Sequence, residues 1–594
     1  DVNGGIAITG FNDDAPDFDG NIVIPATING KNVVSLTSNG NDRMPGADHV
    51  TSLDLTNCAS VSIGEKAFDS CTNLCSLSDM TNCTIGEQAF YHCENLKTVG
   101  NMTNCDIGKK AFDTCQMLEN VGTLSGCTIG EQAFYHCSRL ESVGNMTNCD
   151  IGKKAFDTCD YLRYIGPFSD CTIREQAFYH CRTTAKDEAT HITGGFYNCT
   201  IESKAFDNCQ IDGTIDISGC TIKEQAFYHC DELTWEENNQ EYRTYACLEI
   251  RNLTDCTIEK RAFDNCSVLN GIYGASNCTI GEQAFYHCGI NGFGDMTGYT
   301  ISNCTIGDQA FYHCPLYVVG CLIDCTIGNK AFDTCLTDDV KGLYNCTIGD
   351  QAFYHCGRKE YIADIGNISN CNIGKRAFDT YEGLYTVGPI DNCNIGEQAF
   401  YHCENMERIE GPRYNERIYQ KPIVIYGVTN SEIGEKAFDT CKGSIVVGSL
   451  NGSTIGDQTF YHCDGLESID LTGCTSIGKK AFDTCKNLSS VSGISGCTIG
   501  EQAFYECENL KSIGNLSNCT LEAKAFYHND DLESVSDLNN CKIGDQAFDS
   551  CTNLSSIGNM SRCTVNTKAF YHCENLESVG NLTNSKIGHQ AFDT

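Results

Sequence analysis

Residues 83–93 read Cys-Thr-Ile-Gly-Glu-Gln-Ala-Phe-Tyr-His-Cys, and versions of this stretch recur from Ile63 to the end of the 594-residue chain, with everything else lying between copies. Taking the Phe of each copy as a marker, there are 23 copies from Phe68 to Phe592, and most markers stand 22 residues apart. A short fixed period is the signature of a solenoid whose units stack on their neighbours, so chain length says little about domain number here.

Within one unit, the apolar residues from Cys93 to Phe112 are Leu96, Val99, Met102, Ile107, Ala111 and Phe112, separated by polar residues, Gly100 and Gly108. No 3.6-residue periodicity runs long enough for an ordinary helix. Two short strands, around Leu96 to Val99 and around Cys105 to Ile107, joined by turns and a tight bend at Ala-Phe, fit the period best. A single unit buries too little apolar surface to offset the entropy of ordering it. Stacking supplies ladder hydrogen bonds and covers both faces of each rung, so Phe, Ile and Leu are expected to form columns through the core of a β-rich repeat solenoid of parallel strands.

The pattern Leu-x-x-Val, then Ile-Gly-x-x-Ala-Phe-x-x-Cys, resembles the BspA-like, Treponema-type leucine-rich repeats of bacterial surface proteins. Ile24-Pro25 followed by Ile28-Asn29-Gly30-Lys31 is similar to that family's N-terminal lead-in. The resemblance covers essentially the whole chain. It implies a leucine-rich-repeat-like solenoid on secreted or cell-surface proteins that bind host, matrix or other surface proteins without catalysis. The family usually has Ile-Pro after the first strand, where residues 99–104 here read Val-Gly-Asn-Met-Thr-Asn.

Residues 1–57 do not match the repeat. Their Asn29-Gly30 between apolar alternations is a hairpin signal, and the segment reads as an N-terminal β cap that covers the first coil. The array from 58 to 594 divides into a regular part (58–181), an irregular part with insertions (182–430) and a second regular part (431–594). Lys+Arg number 40 against 78 Asp+Glu, a net charge of -38 that disfavours nucleic acid and anionic lipid as partners. No apolar run is long enough for a membrane span. The chain begins at Asp1 without Met or an apolar leader, as expected of a mature extracellular protein. It stops inside a motif at Thr594, which is expected to mean either further repeats or end-to-end self-association.

Successive copies alternate: Gln88, Lys110, Gln132 and Lys154 precede the Ala, while Tyr91-His92 alternates with Asp113-Thr114 after the Phe. Alternation doubles the spacing of like charges along a column, and Glu87/Lys109 and Glu131/Lys153 place opposite charges on neighbouring rungs. Most of the 43 Cys fall in two columns, one preceding the motif's Ile by two residues and one following its Phe by three. Where the first column has Ser431 or Ser453 the second keeps Cys, and where the second has Tyr381 or Asn529 the first keeps Cys371 or Cys519. Pairing between columns would strand these partners, so buried thiol ladders are expected rather than disulfides. Eleven His precede second-column positions, but they recur on every second rung beside a Cys that points the other way, so no metal site is assigned. A Thr column at 84, 128, 172 and 200 is broken by Asp106 and Asp150, which argues against a flat ice-binding face.

No nucleophile–base pair, phosphate loop or carboxylate dyad stands apart from the repeat, so neither catalytic residues nor cofactors are assigned. The gaps before Phe206, Phe263 and Phe438 are longer than 22 residues, and their extra residues fall after the second-column Cys, on one side of the coil. One insertion carries Trp235, the only Trp, with Tyr242, Arg243 and Tyr245; another carries Arg413, Tyr414, Arg417 and Tyr419. Aromatic and Arg side chains dominate binding hot spots, which makes these the candidate binding residues, although such loops also pack on their own coils. Two functional readings stand: a protein-binding or adhesion scaffold, and a structural subunit of an extracellular filament or sheath.

Overall fold

Thr98–Val99, Met102–Thr103 and Asp106–Ile107 are the strands of one coil, and each pairs in parallel with its equivalents before and after. Val99 stands between Leu77 and Val121, Met102 between Met80 and Leu124, and Ile107 between Ile85 and Ile129. The regular coil therefore has three strands rather than the two expected. Met102–Thr103 escapes a periodicity argument because the corner at Gly100 and Asn101 separates it from Val99, leaving too few residues to alternate.

The structure is a computed structural model that describes residues 4–15, 17–38, 40, 42–181, 189–230, 234–237, 240–243, 247–290, 292–293, 300–358, 361–403, 423–441 and 444–593. It forms two units, Asp1–Ile290 and Asn291–Thr594.

In the first unit the Phe side chains make an unbroken core ladder. Phe112, Phe134 and Phe156 are fully buried, and their rings lie parallel within 4° at centroid separations of 4.9 Å. That separation exceeds face-to-face contact, so the rings are offset as their quadrupoles prefer. Insertions leave the ladder intact: Phe178 and Phe206 are 5.0 Å apart, Phe227 and Phe263 4.7 Å. Ahead of the repeats, Thr27–Ile28 and Lys31–Leu36 form an antiparallel hairpin whose turn has Asn29 at φ 51° and Gly30 at φ 78°, the conformation that favours Asn-Gly. Ile6–Ile8 pairs with Lys31–Leu36, and Asn21–Val23 with Ser52–Asp54, so this segment extends two of the sheets.

The second unit repeats the plan from Phe311 to Phe592, and Phe400 and Phe438 still stack at 5.1 Å across the longest gap. Several of its early coils differ from the regular coil in one respect, as do those of Ile211–Ser218 and Leu248–Thr254 in the first unit. The strands on either side of the Gly corner merge into single strands of 6 or 7 residues, Val318–Ile323, Asp339–Tyr344, Ala363–Ser369 and Ile423–Thr429.

The bend at Ala-Phe is a run of turns stitched to the next coil. Gln88, Phe90 and His92 donate their N–H groups to Lys109, Ala111 and Asp113, while Ala89, Tyr91 and Cys93 close turns onto Gly86, Gln88 and Phe90. The geometry needs a left-handed residue before the Ala and another before the Cys: Gln88 and His92 both have φ 56°, Lys110 φ 56° and Thr114 φ 62°. Thr is poorly suited to that region, and Thr114 Oγ1 donates to Asp113 Oδ1 at 2.8 Å.

Of the 43 cysteines, all but Cys75, Cys247 and Cys321 are buried. Second-column thiols donate to the main-chain oxygen of the Phe one coil back: Cys93 to Phe68 at 3.1 Å, Cys115 to Phe90 at 3.3 Å. First-column thiols bond likewise, Cys127 to Met102 and Cys149 to Leu124, both at 3.3 Å. The exceptions keep the donor: Ser453 Oγ reaches Val428 at 2.8 Å, and Tyr381 Oη reaches Thr337 at 2.9 Å.

Candidate functional site

In the second unit, the strand register lines up Val340 with Ile365, Ile365 with Val387, and Val387 with Ile425. The residues that follow these, Lys341, Gly366, Gly388 and Tyr426, therefore share one column on the outer face. In many regular coils this column is Gly, as at Gly100, Gly122 and Gly144, where a Cβ would lie 2.5 to 2.7 Å from main chain of the preceding coil, and in others it is a small or acidic residue such as Ser78, Asp470 or Ser492. Lys341 and Tyr426 depart from it, in the coils whose strands run long. They stand as posts on either side of two glycines, three strand spacings or about 14 Å apart along the stack.

The notch between the posts has a main-chain floor. A Cβ on Gly366 would meet Lys341 O at 2.1 Å, and one on Gly388 would meet the Gly366 carbonyl carbon at 2.7 Å, so neither position admits a side chain. The resulting groove encloses about 660 Å³, within the range of ligand sites. Its rim is polar: Lys341 Nζ pairs with Asp339 Oδ2 at 2.7 Å, and Thr386 Oγ1 donates to Asp364 Oδ1 at 2.5 Å. Asn367 is exposed, with its side-chain oxygen against Gly388. Tyr426 is 61% exposed.

Beside the groove, Arg358 lies 4.6 Å from the Tyr317 ring centroid and 3.6 Å from that of Tyr361, and its Nε and Nη2 engage both oxygens of Asp338. The hydrogen bonds to Asp338 raise the already high pKa of the guanidinium. Asp338 also accepts the Asp364 N–H at 2.8 Å, which ties this cluster to the groove rim. Leu336, Tyr361 and Ile362 are exposed next to it.

A second set of polar groups runs along the bend. Asp264, Asp333, Asp379, Asp439 and Asp483 follow the Phe of their coils and are buried, and burial pushes their carboxyls above the ordinary range. The alternation read from sequence has a partner within the coil: Lys110 pairs with Asp113 at 3.4 Å, Lys154 with Asp157 at 3.3 Å and Lys480 with Asp483 at 3.0 Å. Between coils, Lys109 reaches Glu131 and Lys153 reaches Glu175, each pairing with the coil that follows.

Of the residues singled out by sequence, Trp235 and Tyr242 are register partners, as are Thr234 and Arg243, in the antiparallel pair Thr234–Glu237 and Gln240–Arg243, which forms a sheet of its own. Tyr245, Arg413, Tyr414, Arg417 and Tyr419 lie outside the described residues. The groove is lined by residues that the sequence reading did not single out, Lys341, Asp364 and Tyr426 among them. Lys341 and Tyr426 are readable in the sequence as large side chains on either side of Gly366 and Gly388 once the coils are aligned. Among the described residues no group of three or more His, Cys, Asp or Glu is placed to hold a metal ion, and no helix is long and apolar enough to cross a membrane.

Among solved structures, a leucine-rich repeat protein from Bacteroides ovatus ATCC 8483 is 16% identical, with 95% of this chain and 92% of that one covered and a TM-score of 0.21. A leucine rich cell surface protein from Faecalibacterium prausnitzii A2-165 is 13% identical, with 98% and 91% covered and a TM-score of 0.17. Superpositions at that level carry no argument. No curated protein matches the chain. The BspA type leucine-rich repeat region (6 copies) matches residues 61–185, 199–317, 304–423, 423–533 and 495–594, overlapping spans that leave little of the array uncovered. With its coil geometry and its repeat both accounted for, the chain belongs to the BspA-type leucine-rich repeat family.

Proposed function

We propose that the chain is a non-catalytic scaffold at the cell surface or outside the cell, on which the repeats present binding elements to other proteins. The family supports a repeat scaffold for protein interaction. What carries the reading further is the hairpin of Thr234–Glu237 and Gln240–Arg243: it pairs with no coil strand, and it brings the only Trp opposite a Tyr in a chain otherwise built of repeated residues. A residue present once among many copies is free to serve recognition, whereas one repeated in every coil is committed to the stack. In this reading residues 1–57 cap the first coil, supported by Ile6–Ile8 lying at the start of its sheet.

The test is replacement of Trp235, Tyr242, Arg413 and Tyr414 by Ala in the whole chain. Thermal stability is expected to change little, and binding to immobilised extracellular-matrix or cell-surface protein is expected to fall. Unchanged binding by the variant removes these loops as the contact surface. Fibres in electron micrographs of the purified chain, in place of separate particles, would favour a filament subunit instead.

A further inference from the structure

We infer that the groove between Lys341 and Tyr426 binds a neutral saccharide, with a sugar ring stacked on Tyr426 and hydroxyls bonded to the rim. This rests on the reading of the chain as a binding scaffold and names a ligand class for a second site on it.

Other occupants fit the groove less well. An extended peptide needs a free sheet edge, but the floor strands are paired on both sides: Ala363–Ser369 with Asp339–Tyr344 and Leu384–Val387, and Leu384–Val387 with Ile423–Thr429. A helix needs an apolar trough, and this rim is Asp, Lys, Thr and Asn. An anion such as a phosphate meets two carboxylates, Asp339 and Asp364, against one ammonium that is already paired with Asp339.

A polyhydroxylated neutral ring has what the groove offers a use for. Lys341 Nζ and the Asn367 amide supply donors, and the Asp339 and Asp364 carboxylates supply acceptors, all beside a main-chain floor at Gly366 and Gly388. Tyr426, which lines the groove and is largely exposed, adds an aromatic ring, the amphipathic surface suited to the C–H face of a sugar. The posts are about three coil spacings apart, so the notch accommodates a short oligosaccharide rather than a single small ion.

The experiment is a titration of the full chain with maltotriose, cellotriose, chitotriose and trigalacturonate at up to millimolar concentration. It is followed by calorimetry and by saturation-transfer NMR on the sugar protons, with Tyr426→Ala and Asn367→Ala beside the parent. We expect at least one of the three neutral trisaccharides to bind, trigalacturonate to bind more weakly, and Tyr426→Ala to weaken binding by about tenfold. Because Tyr426 is exposed, its variant is expected to keep the parent melting temperature, which separates lost contact from lost fold. Absence of binding by all three neutral sugars, tighter binding of trigalacturonate, or affinity unchanged in both variants overturns the inference. Protein binding through the Trp235 hairpin is measured separately and survives any of these results, so failure here does not touch the scaffold reading.

Discussion

Asn529 Nδ2 donates to the main-chain oxygen of Phe504 at 2.7 Å, the bond that Cys507 and Cys551 in other coils make with Phe482 and Phe526 at 3.2 Å. The column is thus defined by a small buried donor and not by sulfur chemistry. Asn is the poorer solution, because its Oδ1 is buried without a partner. Asn529→Cys is therefore expected to stabilise the chain by about 1 kcal/mol, and Asn529→Leu, which removes the donor, to destabilise it by about 2 kcal/mol. Denaturant titration of both variants checks this; a more stable Leu variant would remove the donor from the explanation.

Thiol chemistry should follow from burial. Burial pushes the Cys71 and Cys441 thiols up to about 12 and places Cys93 and Cys115 well above the ordinary range. A thiol held protonated reacts slowly, so alkylation of the native chain at neutral pH is expected to label Cys75, Cys247 and Cys321 first. Denaturation without reductant should then release most of the 43. Fewer than a handful of free thiols in the denatured chain would show that the columns are oxidised.

Much of this was legible in the residues themselves. The Phe marker announced the ladder, because a stacked column repeats its contacts as faithfully as its letters. Met102–Thr103 was not legible, since two residues past a Gly corner carry no period. The groove depends on which residue of one coil stands beside which residue of the next. Coils of unequal length hide that register until Val340, Ile365, Val387 and Ile425 are seen to align.

The buried carboxylates set a pH dependence with a definite sign. Asp333 has its carboxyl raised by burial, so the folded chain holds the proton more tightly than the unfolded one. Its contribution to stability is present below the unfolded value of 3.8 and is lost as pH rises through the folded value. Its Oδ1 has no hydrogen-bond partner, because the Thr334 hydroxyl turns to the Asp333 main-chain oxygen. Asp333→Asn should raise the melting temperature at pH about 7 by roughly 1–3 °C, with the gain shrinking toward pH about 4. A lower melting temperature at neutral pH would contradict the assignment.

The core ladder predicts a large local penalty. Phe134 is fully buried and stacks on Phe112 and Phe156 at 4.9 Å, so Phe134→Ala removes both ring contacts and leaves a cavity between two coils. The expected cost is about 3–5 kcal/mol. Because each coil touches only its neighbours, hydrogen exchange should quicken in the coils around Phe134 and stay near parent values around Phe548. Uniform loss of protection along the chain would argue against such nearest-neighbour energetics.

The alternation of the repeat offers the sharpest test of how coils tolerate charge. Lys154 Nζ sits 3.3 Å from Asp157 Oδ2, and the Asp157 side chain is only 4% exposed, so Lys154→Gln removes the cation beside a buried carboxylate and leaves the Thr158 hydroxyl and an amide like that of Gln546, which donates to Asp549 at 2.6 Å. With the Lys side chain 31% exposed, the loss is expected to be about 1–2 kcal/mol. Adding Asp157→Tyr converts this coil to the Gln-and-Tyr type that surrounds Phe134, and consecutive copies of that type already occur at Gln283, Tyr286 and Gln309, Tyr312. The double variant should therefore be more stable than Lys154→Gln alone. A double-mutant cycle decides the matter: Lys524 with Tyr527 and Gln546 with Asp549 show that the Lys–Asp combination is not obligatory, so a coupling energy near zero would mean that its frequency reflects duplication of two-coil modules, and a clearly favourable one would mean that the ion pair favours it.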